Sequence, residues 1–305
     1  MTGVPLHRFL APRYWWIWSI LGLLWLLAWL PYRVQLGLGR GIGWLAMACM
    51  PGRRHNASCN VALCLSEFDD SAREQLVRRH FESLGIALFE TSLAWWAPRS
   101  RLRRLAHVDG MAHLDAALAR GRGALLLPAH FTTMELGAAL LHLFVVPEIV
   151  YQKFSNPLVE EVMRRRRGRG GALLIENTRP LMAVRGLRSN RLVWYPPDQT
   201  YPPKKRVLAP FFGIPAMTNT TPMRLAALTG AAVIPFFVSR LDDGSGYRLT
   251  IGPALEDFPG ADPVEDATRL NRLIEQQVRK TPAQYLWIHR RFRAYTPDYP
   301  DYYSC

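Results

Sequence analysis

Acidic residues are missing from the N-terminal part of the chain. The segment from Met1 to Ser66 contains no aspartate and no glutamate, yet it carries six arginines, namely Arg8, Arg13, Arg33, Arg40, Arg53 and Arg54. The whole chain of 305 residues has a formal net charge of +14. Such a basic chain favours anionic partners, which include nucleic acids, acidic proteins and phospholipid surfaces. Because the N-terminal arginines flank apolar sequence, a membrane surface fits them best.

Cysteine is scarce, and its spacing argues against cysteine-based sites. The chain has four cysteines, at Cys49, Cys59, Cys64 and Cys305, and no C-x-x-C pair. Structural zinc sites and disulfide-stabilised domains both need a denser pattern. We therefore predict reduced thiols in a cytosol-facing protein and no metal site.

Motifs for nucleotide binding and for serine nucleophiles are also missing. There is no G-x-x-x-x-G-K-[ST] loop and no G-x-G-x-x-G between a strand and a helix, so the sequence predicts no nucleotide cofactor. No G-x-S-x-G elbow occurs, and Ser245 lies in the turn sequence DDGSGY. The chain is therefore expected to use a general base that activates a hydroxyl group of the substrate itself.

One long apolar run lies near the N-terminus. It covers Tyr14 to Leu30, 17 residues without charge, and would span roughly 26 Å as a helix with a rise of about 1.5 Å per residue. Its length, its tryptophans and the lack of a cleavage site favour an uncleaved membrane anchor over a signal peptide. Pro31 ends the run, and the glycine-rich stretch from Tyr32 to Met50 fits a segment that lies along the interface.

The charges around this run predict its orientation. More arginines follow the run than precede it, so the body of the protein is expected on the cytoplasmic side of the membrane, with a single N-terminal anchor. We predict an anchoring and interfacial segment at residues 1–54 and a globular catalytic domain at residues 55–305.

The remainder of the chain alternates between short apolar runs and amphipathic stretches. Strands are predicted at Ala124–Leu127, Glu148–Tyr151, Ala172–Ile175, Leu192–Tyr195, Val233–Val238 and Tyr247–Ile251. Helices are predicted at Ser71–Trp96, Thr132–Leu143, Asn156–Arg166, Pro180–Arg188, Thr221–Leu228 and Pro263–Arg279. This alternation indicates an α/β fold with a central mixed sheet flanked by helices.

The stretch ALLLPAHFTTMELGAALL carries the main candidate site, because it places His130 between a buried strand and a helix. His130 and Glu135 are five residues apart, which on one helix separates them by about 140° at about 100° per residue. If Thr132 is the N-cap, Glu135 falls in the first turn and can point back to His130. The carboxylate would then leave the other imidazole nitrogen free to accept a proton. A capping box beside a structural histidine fits the same residues, and spacing alone leaves both interpretations open.

PAHFTTMELG resembles the HxxxxD/E motif of glycerolipid-type acyltransferases, in the form seen in the lipid A late acyltransferases. Further blocks resemble this family in the same order along nearly the whole chain: RRHNASCNVALC, VWYPPDQTY and AQYLWIHRRF. The resemblance implies a glycerolipid-acyltransferase-like fold, with His130 as general base and Glu135 as its partner. It implies transfer of a fatty acyl chain from an acyl-carrier-protein thioester to the hydroxyl of a 3-hydroxyacyl chain on a lipid A precursor.

The resemblance also suggests supporting residues. Asp198, in the sequence YPPDQ, matches a second functional carboxylate, although an Asx-turn explains it equally well. Arg167 matches a site residue within the basic run Arg164–Arg169, and Arg169 is the next candidate there. Guanidinium groups suit the phosphates of a phosphorylated glycolipid and an acidic carrier protein. Thr132 to Met134 depart from the Gly-Asn-Trp of many relatives, which bears on the shape of the acyl pocket.

Three alternatives use the same features differently. The acceptor could be another lipid, such as an ornithine lipid or a different glycolipid, since a histidine base serves any hydroxyl. A non-catalytic lipid-binding membrane scaffold would keep the fold without turnover. A nucleic-acid partner is disfavoured, because Arg164–Arg169 contains no aromatic residue for base stacking.

Overall fold

The computed structural model describes residues 4–199, 205–293 and 299–304, and the first part of this structure is helical. Four helices come first: α1 (Trp15–Leu27), α2 (Tyr32–Cys49), α3 (Pro51–Cys64) and α4 (Asp70–Trp96). Pro31 precedes α2, and Pro51 occupies the first position of α3, where its missing N–H leaves no helical hydrogen bond unmade. Asp69 caps α4 by accepting a hydrogen bond from the N–H of Ala72.

Glycines let α2 and α4 cross in close contact. A Cβ atom at Gly43 would lie 2.1 Å from the carbonyl oxygen of Phe81, and one at Gly85 would lie 2.0 Å from that of Gly39. No side chain fits at such distances, so the two backbones can touch there only through glycine. Two glycines of the sequence GLGRGIG, Gly39 and Gly43, therefore serve helix packing.

The apolar run does not form the membrane-spanning helix that its composition predicted. α1 covers 13 residues, about 20 Å at about 1.5 Å per residue. Across the described ranges, no helix combines the length and the apolar character needed to cross a bilayer. The run breaks after α1, where the side-chain amide of Gln35 donates hydrogen bonds to the carbonyl oxygens of Leu27 and Leu30 at 2.8 and 3.2 Å. The predicted single N-terminal anchor is therefore not supported. Residue 54 lies inside α3, and the division at that point stays a prediction.

A seven-stranded sheet forms the centre of the fold. Its strands are β1 (Ala106–Asp109), β2 (Ala124–Leu127), β3 (Pro147–Tyr151), β4 (Leu173–Glu176), β5 (Leu192–Trp194), β8 (Ala232–Arg240) and β9 (Tyr247–Ile251). Their spatial order is β1-β9-β8-β2-β5-β3-β4. Neighbouring strands are parallel except β8 and β9, which are antiparallel. A separate hairpin joins β6 (Arg206–Phe211) to β7 (Ile214–Asn219).

Helices cover both faces of this sheet. They are α5 (Arg99–Leu105), α6 (Met111–Ala119), α7 (Met134–Leu141), α8 (Pro157–Arg167), α9 (Pro180–Arg188), α10 (Thr221–Thr229) and α11 (Pro263–Lys280), together with α4. The side chains of β2 alternate between two buried clusters, with Leu126 in one and Leu125 and Leu127 in the other. The predicted α/β fold with a central mixed sheet flanked by helices is confirmed. Strand β1 and the β6–β7 hairpin were not predicted.

α1 and α2 expose a broad apolar surface. Ile17 and Leu21 of α1 are buried in a cluster with Leu158 and Val162 of α8. Other large apolar side chains of this region are exposed: Trp15, Trp16, Ile20, Leu23, Trp25, Leu26 and Trp29 in and after α1, and Val34, Leu38, Ile42, Trp44 and Leu45 in α2. We call these twelve residues the apolar N-terminal surface. Exposed apolar area on this scale is typical of an interaction with a membrane or another apolar partner.

Candidate active site

His130 lies in a short loop between β2 and α7 that main-chain hydrogen bonds hold in place. β2 is fully buried and ends at Leu127, and α7 begins at Met134. The chain after α11 returns beside this loop, where the Thr132 N–H donates to the carbonyl oxygen of Gln284 at 2.8 Å. The Leu286 N–H donates to the carbonyl oxygen of His130 at 3.0 Å. These main-chain bonds fix the loop, so His130 is presented by a rigid segment.

Asp198 is the hydrogen-bonding partner of His130. Its Oδ1 lies 2.6 Å from Nδ1 of His130, and its Oδ2 accepts the main-chain N–H of the same histidine at 2.9 Å. Asp198 follows β5, which pairs in parallel with β2. The carboxyl ends of the two strands therefore meet at one edge of the sheet and bring the two residues together.

The charge state of Asp198 follows from its surroundings. Asp198 is 3% exposed, and burial alone would raise the pKa of its carboxyl group. The charge of His130 and the two hydrogen bonds from it outweigh burial, so the pKa of Asp198 lies below its ordinary value. An ionised Asp198 accepts hydrogen bonds only, which puts the proton of the neutral ring on Nδ1. Nε2 of His130 is then free to accept a proton.

Glu135 does not contact His130 in the way that the sequence predicted. Its carboxylate accepts hydrogen bonds from Nε1 of Trp95 at 2.7 Å and from Nε of Arg167 at 3.0 Å, and it forms a second bond with Nη2 of Arg167. Burial would raise the pKa of Glu135, but the charge and the hydrogen bonds of Arg167 outweigh it and lower the pKa. Glu135 is therefore an anion paired with Arg167, and the predicted His130–Glu135 hydrogen bond is replaced by the His130–Asp198 bond.

The start of α7 explains this difference. Its N-cap is Thr133, one residue later than predicted, and Thr133 makes no side-chain capping bond to the helix. The Thr132 hydroxyl instead hydrogen-bonds the hydroxyl of Ser83 on α4 at 2.7 Å. With Thr132 held in this way, Glu135 faces α4 and α8 rather than the loop of His130.

One cavity collects three of the predicted site residues. His130, Glu135 and Arg167 line a space of about 170 Å³, which we call the histidine cavity. Its other walls are largely apolar and include Met134, Ala138, Ile149, Phe154 and Trp194. Asp198 lies behind His130, and Arg169 does not line this cavity. A base in such a position can activate a hydroxyl group of a lipid, and the apolar walls beside it can hold the attached hydrocarbon chain.

Arg169 lies in a second cavity, outside the histidine cavity. Its Nη1 donates to the carbonyl oxygen of Trp95 at 3.4 Å, and it lines this second cavity together with Arg167 and Glu135. Within the described ranges, no group of three or more histidine, cysteine, aspartate or glutamate side chains is arranged to hold a metal ion.

Sequence reasoning missed three contacts of this site. The pairing of Asp198 with His130 could have been found from the parallel arrangement of their strands, because each residue follows a buried strand by a few positions. The Trp95 indole on Glu135 and the Gln284 carbonyl on the His130 loop join segments far apart in sequence. No local pattern signals those contacts.

Comparisons with known proteins agree with the resemblance of the motifs. Residues 6–294 match the family described as bacterial lipid A biosynthesis acyltransferase. The chain is 39% identical over 289 residues to the lipid A biosynthesis palmitoleoyltransferase of Escherichia coli (strain K12), an alignment that covers 94% of each chain. It is 35% identical over 306 residues to the lipid A biosynthesis lauroyltransferase of the same organism, which covers 99% of this chain and 100% of the relative. The lipid A biosynthesis myristoyltransferase of Escherichia coli (strain K12) is 26% identical to this chain over 295 residues.

Proposed function

This chain belongs to the bacterial lipid A biosynthesis acyltransferase family and is an acyltransferase, and from this premise we propose that it carries out the secondary acylation of a lipid A precursor. The donor is the thioester of an acyl carrier protein, and the acceptor is the hydroxyl of a 3-hydroxyacyl chain on the phosphorylated glycolipid. The observation that carries this proposal is the His130–Asp198 pair, which opens on an apolar cavity shared with Glu135 and Arg167.

In the proposed reaction, His130 acts as general base. Nε2 removes the proton of the acceptor hydroxyl as the oxygen attacks the thioester carbonyl. A C–O bond forms, the C–S bond breaks, and the imidazolium returns its proton to the leaving thiolate. Asp198, fixed on Nδ1 at 2.6 Å, stabilises the imidazolium while it exists and keeps the ring in the required tautomer.

Glu135 and Arg167 take a different part in this proposal. Their ion pair forms part of the wall between the two cavities, with the Trp95 indole as a third member. Arg167 faces the reacting groups as a positioned cation for the substrate, and Glu135 orients it. Glu135 is thus a positioning residue for Arg167, whereas Asp198 positions His130. Arg169 is proposed to contribute attraction for the acceptor's phosphate.

The apolar N-terminal surface is proposed to rest on the inner membrane from its cytoplasmic side. Most of its tryptophans and leucines are exposed on α1 and α2, and the acid-free sequence around them adds arginines that attract anionic lipids. Trp is suited to the headgroup region because its ring is amphipathic. Partial insertion at this level would deliver a lipid acceptor to the enzyme without a helix that crosses the bilayer.

Product analysis of the purified full-length chain tests this function. The protein is mixed with a panel of acyl-carrier-protein thioesters and either a lipid A precursor or an ornithine lipid, and the products are weighed by mass spectrometry. We expect one added acyl chain on the lipid A precursor. His130→Ala should abolish the product without loss of folding, whereas His113→Ala, on the exposed face of α6, should behave as the unmodified chain.

Each other outcome has a definite meaning. Unchanged product from His130→Ala would eliminate this histidine as the base. Acylation of ornithine lipid alone would assign a different acceptor. Lipid binding without a product from any donor would favour a non-catalytic scaffold.

A further inference from the structure

A second cavity adjoins the histidine cavity across the Glu135–Arg167 pair. It has a volume of about 230 Å³ and shares Glu135, Ala138, Ile149 and Arg167 with the first cavity as lining. Its mouth carries three further arginines, Arg99, Arg166 and Arg169. We call it the arginine-rimmed cavity. It has no part in the proposed proton transfer, since His130 does not line it.

The floor of the arginine-rimmed cavity is apolar. Small and aliphatic side chains from four segments form it, namely Ala94, Ala97, Leu102, Ala138, Ala139, Leu143 and Ile149. Leu102, Leu143 and Ile149 also belong to the main buried cluster of the protein. Such a floor favours methylene groups over a hydrated ion, because burying apolar surface is favourable and burying an unpaired polar group is not.

The three rim arginines lack acidic partners among the described residues. Arg99 and Arg169 donate to main-chain carbonyl oxygens, those of His142 at 3.5 Å and Trp95 at 3.4 Å. The guanidinium of Arg166 lies over the ring of Trp96, 5.5 Å from its centre. The single carboxylate that lines the cavity, Glu135, is already paired with Arg167. Three positive charges therefore remain without a counterion at one cavity mouth.

The proximity of these charges works against the folded protein. Burial lowers the pKa of Arg166, and the positive charges of Arg169 and Arg165 lower it further. Like charges held this close are usually relieved by an anion that accepts hydrogen bonds from several guanidinium groups at once. A dianionic phosphate monoester matches three such groups better than a carboxylate does, because it offers more charge and more acceptor oxygens.

We propose that the arginine-rimmed cavity is a phosphate subsite for the acceptor lipid: Arg99, Arg166 and Arg169 bind a phosphate monoester while the apolar floor holds the hydrocarbon attached beside it. The proposal rests on the proposed function for the identity of the lipid. A phosphorylated glycolipid carries phosphate and acyl chains on the same sugar, so one ligand can satisfy both parts of the cavity. The phosphate of a carrier-protein arm is separated from its acyl chain by the length of the pantetheine and cannot fill both parts together.

Acceptors with and without phosphate test this subsite during turnover. For the unmodified full chain we expect the phosphorylated acceptor to have a KM at least about tenfold below that of the dephosphorylated acceptor, as for the loss of charge-assisted hydrogen bonds. Arg99→Gln/Arg166→Gln should remove most of this difference and leave kcat nearly unchanged. Arg272→Gln, which alters an exposed arginine of α11 outside both cavities, should keep the difference. A double variant that still discriminates between the acceptors, or that slows both equally, would overturn the proposal.

A binding measurement keeps this proposal separate from the proposed function. Dodecyl phosphate is titrated below its micelle concentration while tryptophan fluorescence is followed, because Trp95 and Trp96 lie beside the rim. We expect its affinity to fall at least about tenfold in Arg99→Gln/Arg166→Gln and to hold in Arg272→Gln. The neutral dodecyl maltoside should bind the unmodified chain and the double variant alike.

The remaining outcomes divide the two proposals. Arginine-dependent binding of dodecyl phosphate without acylation of any lipid A precursor would retain the subsite and reject the proposed function. An affinity for dodecyl phosphate that is unchanged in Arg99→Gln/Arg166→Gln would reject the subsite, whether or not the enzyme acylates the lipid A precursor. Inorganic phosphate that binds as tightly as dodecyl phosphate would show that the apolar floor adds nothing, and it would replace the lipid site with a free-phosphate site.

Discussion

The substitution Asp198→Asn tests the proposed mechanism with a minimal change of shape, because it replaces one carboxylate oxygen by an NH2 group. The carboxylate accepts two hydrogen bonds from His130, one from the main-chain N–H and one from Nδ1. An asparagine has a single acceptor oxygen and an NH2 group. If the oxygen keeps the hydrogen bond from the main-chain N–H, the NH2 group faces Nδ1. Nδ1 can accept a hydrogen bond from that NH2 group only if the ring proton moves to Nε2. That tautomer cannot act as the base.

The expected loss follows from this conflict. If the oxygen instead faces Nδ1, the main-chain N–H of His130 meets an NH2 group, and the imidazolium also loses its anionic partner. The same substitution in a histidine–aspartate pair that positions a base lowers turnover by about 10⁴, or about 5 kcal/mol at about 1.4 kcal/mol per tenfold. We expect kcat for acyl transfer to fall by about 10³ to 10⁴, with KM for both substrates changed little.

Initial rates with saturating donor and acceptor measure this effect. Asp115→Asn, on the exposed face of α6, is the matched control and should retain full activity. Circular dichroism confirms that each variant is folded. A loss of less than about tenfold in folded Asp198→Asn would refute the assignment of Asp198 as the group that orients His130.

Three further predictions test the remaining contacts. Compared with Asp198→Asn, Glu135→Gln should lower kcat less and raise the KM for the acceptor more, because it removes the anionic partner of Arg167 and not that of His130. Steady-state kinetics with the reverse pattern would show that Glu135 acts on His130. Gly43→Ala should destabilise the protein by about 1–3 kcal/mol in urea unfolding, since its Cβ would lie 2.1 Å from a carbonyl oxygen of α4, whereas Gly41→Ala meets nothing within 4 Å and should be neutral or stabilising. Burial lowers the pKa of His80 to about 4, so the unfolded chain binds the extra proton first as the pH falls below about 6.5. Between pH 7 and pH 5, the free energy of unfolding should therefore decrease in the unmodified chain by about 2 kcal/mol more than it does in His80→Gln. Equal decreases in the two proteins would contradict this prediction.

Regular elements of this fold could be predicted from the sequence because their signals are local. β2 has the predicted bounds, Ala124–Leu127, since four consecutive apolar residues between a glycine and a proline leave few alternatives. β1 was missed because His107 and Asp109 alternate with apolar residues in a strand of four residues only. It becomes a strand through its parallel pairing with β9, whose residues lie about 140 positions further along the chain.

The site was only partly predictable for the same physical reason. His130, Glu135, Arg167 and Asp198 do converge, but their partners depend on contacts between distant segments. The spacing of His130 and Glu135 admitted a bond if Thr132 capped the helix, and the hydroxyl of Ser83, 49 residues away, holds Thr132 instead. In the same way, the composition of Tyr14–Leu30 indicated a membrane anchor, whereas α1 ends at Leu27 and the amide of Gln35 donates hydrogen bonds to the carbonyl groups of Leu27 and Leu30.

The Glu135–Arg167 ion pair and the hydrogen-bonded His130–Asp198 pair depend on each other through charge. Arg167 and His130 line one cavity, and an unpaired guanidinium there would make a second positive charge on the imidazole costly when it accepts a proton. Glu135 forms two hydrogen bonds with that guanidinium and so offsets part of its charge. Asp198 meanwhile supplies the negative charge that the imidazolium needs. In the proposed mechanism, Glu135 therefore assists His130 without touching it, while its own hydrogen bonds come from Arg167 and Trp95.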